Sequence, residues 1–254
     1  MSRAPGTPLP PLVAHRGDAA DHPENTLEAL QSAVDLGLRH VEFDVQLTAD
    51  GVPVMLHDAD LRRVAGRPEC VHDLDWAALA QVAIGEPTRF GDRFRHVRPA
   101  SLARVVEAVR SWRDVTAFVE VKRASLRRFG HDAVLERVAS AVAPALSQCV
   151  LISFDLPAVQ RLRESAGARI GWVIERYDEA TRRAAEAAAP EYLFADLDAF
   201  PADAARLWPG PWDWAVYEIT GIEAARQCAA LGASLVETMQ VRAMLAAYAR
   251  DVAP

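Results

Sequence analysis

The chain has 254 residues, 51% of them hydrophobic and 25% charged, with a formal net charge of −7. That composition excludes a disordered chain, and the length suits either two small domains or one large single-domain barrel. The negative balance supplies no sequence-wide basic field, which argues against nucleic acid as a partner and leaves any small anionic ligand in need of a local basic site.

From the amino terminus, Met1 to Pro11 is rich in proline and lacks a basic stretch followed by an apolar run, and nowhere do eighteen consecutive apolar residues occur. Cys70, Cys149 and Cys228 are too widely spaced for a disulfide framework or a C-x-x-C knuckle. The expectation is a soluble, cytoplasmic protein without an integral membrane anchor. The sequence carries no mark of oligomeric state.

Beyond Pro11, short apolar runs alternate with alanine-rich amphipathic segments, the signature of alternating strands and helices. The runs are Leu12 to His15, Val41 to Val45, Val52 to Leu56, Phe118 to Lys122, Val150 to Phe154, Ile170 to Ile174, Tyr192 to Asp196, Trp214 to Ile219 and Ser234 to Thr238. The second and third are joined by Thr48-Ala49-Asp50-Gly51, too short for a parallel crossover, so Val52 to Leu56 folds back as a hairpin. Eight strands remain, most followed by helical patterns such as Thr26 to Leu36, Ser101 to Arg110, Asp132 to Ala141 and Pro157 to Glu164. This predicts one (β/α)8 TIM barrel over 1–254, with its site where strands end and loops begin. An open doubly wound sheet is the competing fold. The stretch from about 58 to 115 is too long for a simple connection and predicts an insertion beside that face, with Trp76 to Val82 as one of its helices.

Side chains alternate along a strand, so Val41, Phe43 and Val45 take one face while Glu42 and Asp44 take the other. Two carboxylates roughly 7 Å apart along a strand are costly inside a barrel unless neutralised, and a hard divalent cation neutralises them; a solvated acidic edge is the alternative. Glu120 and Lys122 share a face in the same way and offer a third ligand with an ammonium for a phosphate oxygen, or a simple cross-face ion pair. Lys122 is the only lysine among 28 basic residues, which favours a specific role. His15 and Arg16 end the first strand and His57-Asp58 ends the hairpin strand. Two imidazoles at separate strand ends can act as acid and base, or serve structure alone, and the Arg16 fork suits phosphate. His22, His40, His72, His96 and His131 have no such company. Asn25 and Glu28 are spaced as a capping pair for the first helix.

The ordered set His15-Arg16-Gly17, Pro23-Glu24-Asn25-Thr26, Glu42-x-Asp44, Thr48-x-Asp50-Gly51, His57-Asp58 and Glu120-x-Lys122 resembles the glycerophosphodiester phosphodiesterases, and Pro99-Ala100-Ser101-Leu102 and Ser153-Phe154 extend the likeness. The resemblance implies a barrel of the phosphatidylinositol phospholipase C-like group that uses Mg2+ or Ca2+ to cleave a small-molecule phosphodiester substrate to glycerol 3-phosphate and an alcohol. It implies Glu42, Asp44 and Glu120 as metal ligands, His15 and His57 as the acid-base pair, and Arg16 and Lys122 as phosphate contacts. It leaves open which histidine is the acid, with a preference for His57, and whether the nucleophile is water or a substrate hydroxyl.

The carboxyl-terminal third departs from the pattern. Tyr217-Glu218-Ile219-Thr220 stands where the family shows Trp-Thr-Val-Asn, and Thr238-Met239 with Val241 stands where it shows Thr-Asp with a nearby proline. Tyr217 is a candidate aromatic wall for the substrate, and Glu218 or Glu237 a polar contact or a structural group. Two other readings stay beside the leading one: a lysophospholipase D-like or other phosphodiesterase, and a non-catalytic phosphate- or phospholipid-binding barrel.

Overall fold

A computed structural model of the chain describes residues 8–252. The elements run β1 (Leu12–Ala14), α1 (Leu27–Asp35), β2 (His40–Leu47), β3 (Pro53–Met55), three short helices α2 (Arg62–Ala65), α3 (Trp76–Leu79) and α4 (Pro87–Phe90), then α5 (Leu102–Ser111), β4 (Thr116–Val121), α6 (Arg123–Phe129), α7 (His131–Val142), β5 (Cys149–Ser153), α8 (Leu156–Ala166), β6 (Arg169–Val173), α9 (Glu179–Ala188), β7 (Tyr192–Asp196), β8 (Asp213–Tyr217), α10 (Ile222–Leu231), β9 (Leu235–Thr238) and α11 (Val241–Val252). No helix among the described residues is long and apolar enough to cross a membrane.

The helices begin where the local sequence supplies an acceptor for their free amides. Thr26, Ser101, Asp155 and Asp178 each take the backbone N–H three residues on, capping α1, α5, α8 and α9. Asn25, expected to cap the first helix, does not; Thr26 does, and Asn25 is turned to another task described below.

Eight parallel strands close on themselves, because β1 pairs with β2 on one side and β9 on the other. That closure excludes the open doubly wound sheet. β3 is the expected excursion: β2 is the only strand it pairs with, antiparallel and with Val45 opposite Met55, while its other edge makes a single bridge from Val54 to Ser101. β1 covers only His40 and Val41 of β2, so the far end of β2 is left for β3 to cover.

The outward side chains, among them Val41, Phe43, Val45, Val119, Val121 and Leu151, join the helices in one large apolar layer. Inward, Val13, Phe118, Val150, Ile152, Val173, Phe194, Ala215 and Leu235 plug the barrel, with Phe118 set edge-on against Phe194 at 5.1 Å. Gly171 makes room in this plug: a Cβ there would lie 2.8 Å from the Ile152 side chain and 3.2 Å from Phe194.

Between β3 and α5 lies a second, smaller core of Val54, Leu56, Leu61, Val64, Val71, Leu79, Val82, Ile84, Phe94 and Val97. The helix at its centre stops at Leu79, short of the expected Val82, and the extra chain ends before α5, which is an ordinary barrel helix. The connection from β7 to β8 contains only a single 3-10 turn, Leu197–Ala199. An aromatic cluster fills that gap in the helical layer, with Tyr177 stacked on Trp208 at 3.9 Å and Trp208 against Trp214 at 5.8 Å.

Candidate functional site

The carboxyl ends of the strands surround a cleft lined by His15, Arg16, Glu42, His57, Glu120, Lys122, Ile152, Phe154, Val173, Phe194, Tyr217, Glu218 and Glu237. The period of two along β2 and β4 explains the acidic part. With Glu42 and Asp44 turned inward and Asp44 in register beside Glu120, three carboxylates from two adjacent strands meet. Each offers an oxygen within 4.8 Å of the others. The outward partners Phe43, Val45, Val119 and Val121 are buried under helices, so the register cannot slip without exposing them.

Such a cluster must be neutralised, and two cations do so in part. Lys122 Nζ lies 2.8 Å from Glu120 Oε1 and 3.1 Å from Asp44 Oδ1. Arg16 donates from its backbone N–H to Glu42 Oε2 at 3.0 Å and from its guanidinium to Glu24 at 2.9 Å, with Nε 3.3 Å from Asp44. Both groups foreseen as phosphate contacts therefore also hold carboxylates. Arg16 is buried, which alone would weaken its hold on its proton, but Asp44, Glu24 and Glu42 reverse that and raise it. Burial likewise works against the Lys122 charge, yet Asp44 and Glu120 drive its pKa up.

The carboxylates respond unequally. Burial pushes Asp44 toward its neutral form, but Lys122, Arg16 and His57 outweigh it, and Asp44 ends well below the ordinary carboxylate range. Glu120 is pushed up to about 7, first by burial and then by Asp44. Glu42 is raised well above its usual value by burial, Asp44, Glu237 and Glu120. The protein's own cations thus satisfy one carboxylate and leave two short of positive charge. An all-oxygen donor set in this condition fits a hard divalent cation, and Glu42, Asp44 and Glu120 are positioned to bind one.

The histidines reach the cleft by different routes. His15 follows β1 and is 9% exposed, its ring 3.9 Å from Glu42 and 3.8 Å from Glu218. Burial lowers its pKa to about 3, helped by the charges of Arg16, His57 and Lys122 and opposed by Asp44. His57 arrives from β3, half-buried, with Nδ1 2.6 Å from Asp58 Oδ1. Asp58 is itself held by Arg63 at 2.8 Å, and Gln46 Nε2 donates to the His57 carbonyl at 2.8 Å.

Three supporting residues were not singled out for these tasks in the sequence. Asn25, at φ 52°, donates to Asp44 Oδ2 at 2.8 Å and accepts from the Asp44 amide at 2.9 Å. Glu24 is clamped by Arg16 and by both arms of Arg63, and its own amide donates to Glu86 Oε1 at 2.7 Å. Gln46 follows Glu42 and Asp44 on the same face of β2, and that register is the signal that could have found it. Gly17 lets this loop fold tightly, since at φ 83° a Cβ would sit 2.6 Å from the Ala29 backbone.

The far wall is made by Ile152, Phe154, Val173 and Phe194, with Tyr217 where the sequence placed an aromatic wall. Glu218 is exposed at φ 61°, whereas Glu237 is 3% exposed, faces inward from β9, and has its pKa raised well above the usual value by burial and then by Glu120 and Asp44. Of the remaining histidines, His72 is a structural group bonded to Gln46 and Ser125.

A family model, the glycerophosphoryl diester phosphodiesterase family, matches residues 15–203. A probable glycerophosphodiester phosphodiesterase 1 of Mycobacterium tuberculosis is 33% identical over 174 residues, covering 62% of this chain and 61% of that one. The chain spans less than two thirds of the length of this and other curated relatives that it matches. Among solved structures, a putative glycerophosphoryl diester phosphodiesterase from Silicibacter pomeroyi superposes with a TM-score of 0.83 at 21% identity, over 97% of this chain and 95% of that one. A phosphodiesterase of Oleispira antarctica, solved with the product sn-glycerol-3-phosphate, gives 0.79 at 21% identity over 94% and 96%. At that identity the likeness to the two structures is one of fold.

Proposed function

The chain belongs to the glycerophosphoryl diester phosphodiesterase family, and from there we propose that it hydrolyses glycerophosphodiesters to glycerol 3-phosphate and an alcohol. The observation that carries this reading is the meeting, in one cleft, of His15 and His57 from separate strand ends with the Glu42, Asp44 and Glu120 cluster. A binding-only barrel has no use for two imidazoles beside three buried carboxylates.

Glu42, Asp44 and Glu120 would hold the divalent cation, Mg2+ or Ca2+ by their oxygen-only chemistry. When bound, it supplies positive charge for the phosphoryl oxygens. Arg16 and Lys122 add fixed positive charge at the same place, and a preorganised charge costs no reorganisation as the transition state forms. His57 has a carboxylate on Nδ1, which fixes the ring and leaves Nε2 to hand a proton to the leaving alkoxide. His15, at the end of β1 and lining the same cleft, would take the proton of the nucleophile. Asn25 and Gln46 act as positioning residues, the first through Asp44 and the second through His57.

A second reading keeps the chemistry and changes the substrate. Phe154 and Tyr217, the partly exposed aromatic groups at the cleft, would offer cover to the chain of a lysophospholipid. The three cysteines, all free, accord with a cytoplasmic location.

The test is release of glycerol 3-phosphate from a panel of glycerophosphodiesters and a lysophospholipid, with Mg2+, Ca2+ or chelator. Turnover should vanish in chelator and fall by about 10² or more in His15→Ala and His57→Ala. A fully active variant removes that histidine from the mechanism, and a folded protein that turns over no diester overturns the reading.

A further inference from the structure

Resting on the reading above and deepening it, we infer that Arg63, on the extra chain outside the barrel, is the positioning residue of the His57 imidazole: it ties Asp58 to Glu24 and so fixes the ring for proton transfer to the leaving alkoxide. The guanidinium uses all three of its nitrogens. Nε donates to Asp58 Oδ2 at 2.8 Å, and the other two donate to Glu24 Oε2 at 2.5 Å and Oε1 at 2.9 Å. The remaining oxygen of Asp58 is the one 2.6 Å from His57 Nδ1. Glu24 Oε1 also accepts from Arg16 at 2.9 Å. A continuous row of alternating charge, Asp58, Arg63, Glu24 and Arg16, thus joins the imidazole to the candidate phosphate contact.

The backbone and the ring of His57 are held from different sides. Gln46 of β2 takes the His57 carbonyl, whereas the ring is held at Nδ1 by Asp58. Asp58 is half-buried, and its second oxygen is held by Arg63. Glu24 is 4% exposed, bonded to Arg16, and its amide donates to Glu86, so it is the fixed end of the row. Losing the Arg63 guanidinium therefore releases the ring while the chain at His57 stays in place. The short helix α2 does not depend on that guanidinium either. Leu61 and Val64, on either side of the arginine pair, are buried in the second core, and the Glu86 amide donates to the Val64 carbonyl at 3.0 Å.

The arrangement is specific to arginine. A rigid planar fork can engage one carboxylate with two nitrogens and a second with the third, in fixed directions, whereas an ammonium on a flexible stem cannot. Proton transfer depends on such directions, since a small displacement of a group that must meet its reacting atom costs rate without costing stability. The phosphate side is spared when Arg63 is lost, because Arg16 keeps its own bond to Glu24 and its contact with Asp44.

The test compares two leaving groups: the glycerophosphodiester of an alkyl alcohol, whose leaving oxygen must be protonated, and the p-nitrophenyl diester of glycerol 3-phosphate, whose phenolate leaves without an acid. Arg63→Met should lower kcat on the first by about 10-fold or more and on the second by less than about 3-fold, with cation affinity as in wild type. Arg63→Lys should not recover the loss. Arg62→Met, the neighbour on α2 whose side chain pairs with Asp60, should match wild type on both diesters. Asp58→Asn should give the same split as Arg63→Met and serves if that variant does not fold. In 15N-histidine spectra the His57 ring signals should move in Arg63→Met while those of His15 stay. Equal losses on the two diesters, or unmoved His57 signals, overturn the inference and leave the proposed function standing. Wild type inactive on both diesters overturns the proposed function and the inference with it.

Discussion

The two halves of the barrel mouth are built from the same strand geometry and do opposite things. β1, β2, β4 and β9 send His15, Glu42, Asp44, Glu120 and Glu237 into the cleft, while β5, β6 and β7 send Ile152, Val173 and Phe194. The apolar half releases free energy by burial; the acidic half holds like charges at close range, which Arg16 and Lys122 offset in part. Chemistry is thus placed on the half that folding disfavours, and the opposite half offsets it.

The largest effect expected from testing that division lies on the apolar side. Phe194 is 1% exposed and packs edge-on against Phe118. Phe194→Ala should cost about 3–5 kcal/mol in denaturant unfolding, the usual penalty for such a truncation, while cation affinity stays as in wild type. If cation binding collapses with it, the halves are not separable.

On the acidic side the lever is pH in chelator. A carboxylate whose folded pKa is raised gives stability that is complete below its unfolded pKa and lost as pH rises through the folded one. Glu120 goes from 4.5 to about 7, and Glu42 and Glu237 are raised as well. Between about pH 6.5 and 8.5 Asp44 is ionised in both states, and His15 at about 3 is already neutral in the folded state and becoming so in the unfolded. The melting temperature in chelator should therefore fall by several degrees over that window. Added Mg2+ or Ca2+ should flatten the slope, and Glu120→Gln should reduce it without any cation. A flat profile in chelated wild type would mean that the carboxylates are already compensated.

Smaller effects separate neighbours in the chain. Asn25→Ala leaves Asp44 without two hydrogen bonds and should cost about 1–3 kcal/mol, with weaker cation binding as well. Thr26→Ala removes the α1 cap and the hydroxyl's bond to the Pro23 carbonyl but no contact to a carboxylate of the cluster, so about 1 kcal/mol or somewhat more of stability should go with turnover unchanged. Equal effects of the two on cation binding would make Asn25 a mere part of the helix start.

What the sequence made legible followed from this same contrast. Alternation in Val41 to Val45 and in Phe118 to Lys122 announces both faces of a strand at once, so the sequence alone puts the three carboxylates and Lys122 on the inward face. The antiparallel return of β3 followed from the short turn, and the barrel from the strand count. Asn25 was misread because Asn25 and Glu28 satisfy a capping spacing, whereas the left-handed backbone at Asn25 turns its amide to Asp44 and passes the cap to Thr26. Glu237 was left between a contact and a structural group, because a single acid closing Leu235-Val236-Glu237 reads like any strand end. Only barrel closure through β1 and β9 brings it to His15. Glu24 and Arg63 stand 39 residues apart, and no local pattern announces their pairing.

β3 makes the ring of eight strands modular in a particular sense. It hydrogen-bonds to β2 without taking part in the closure, and it delivers His57 together with the small core that follows. Of the two imidazoles proposed to handle protons, one thus belongs to the vessel and the other to its attachment. Mutation can lengthen, shorten or reshape the attachment without reopening the vessel, provided that Arg63 and Glu86 keep their hold on Glu24, through which the attachment reaches Arg16 and the acidic cluster. Diversification among chains of this architecture has an inexpensive route on one side of the cleft and a costly one on the other.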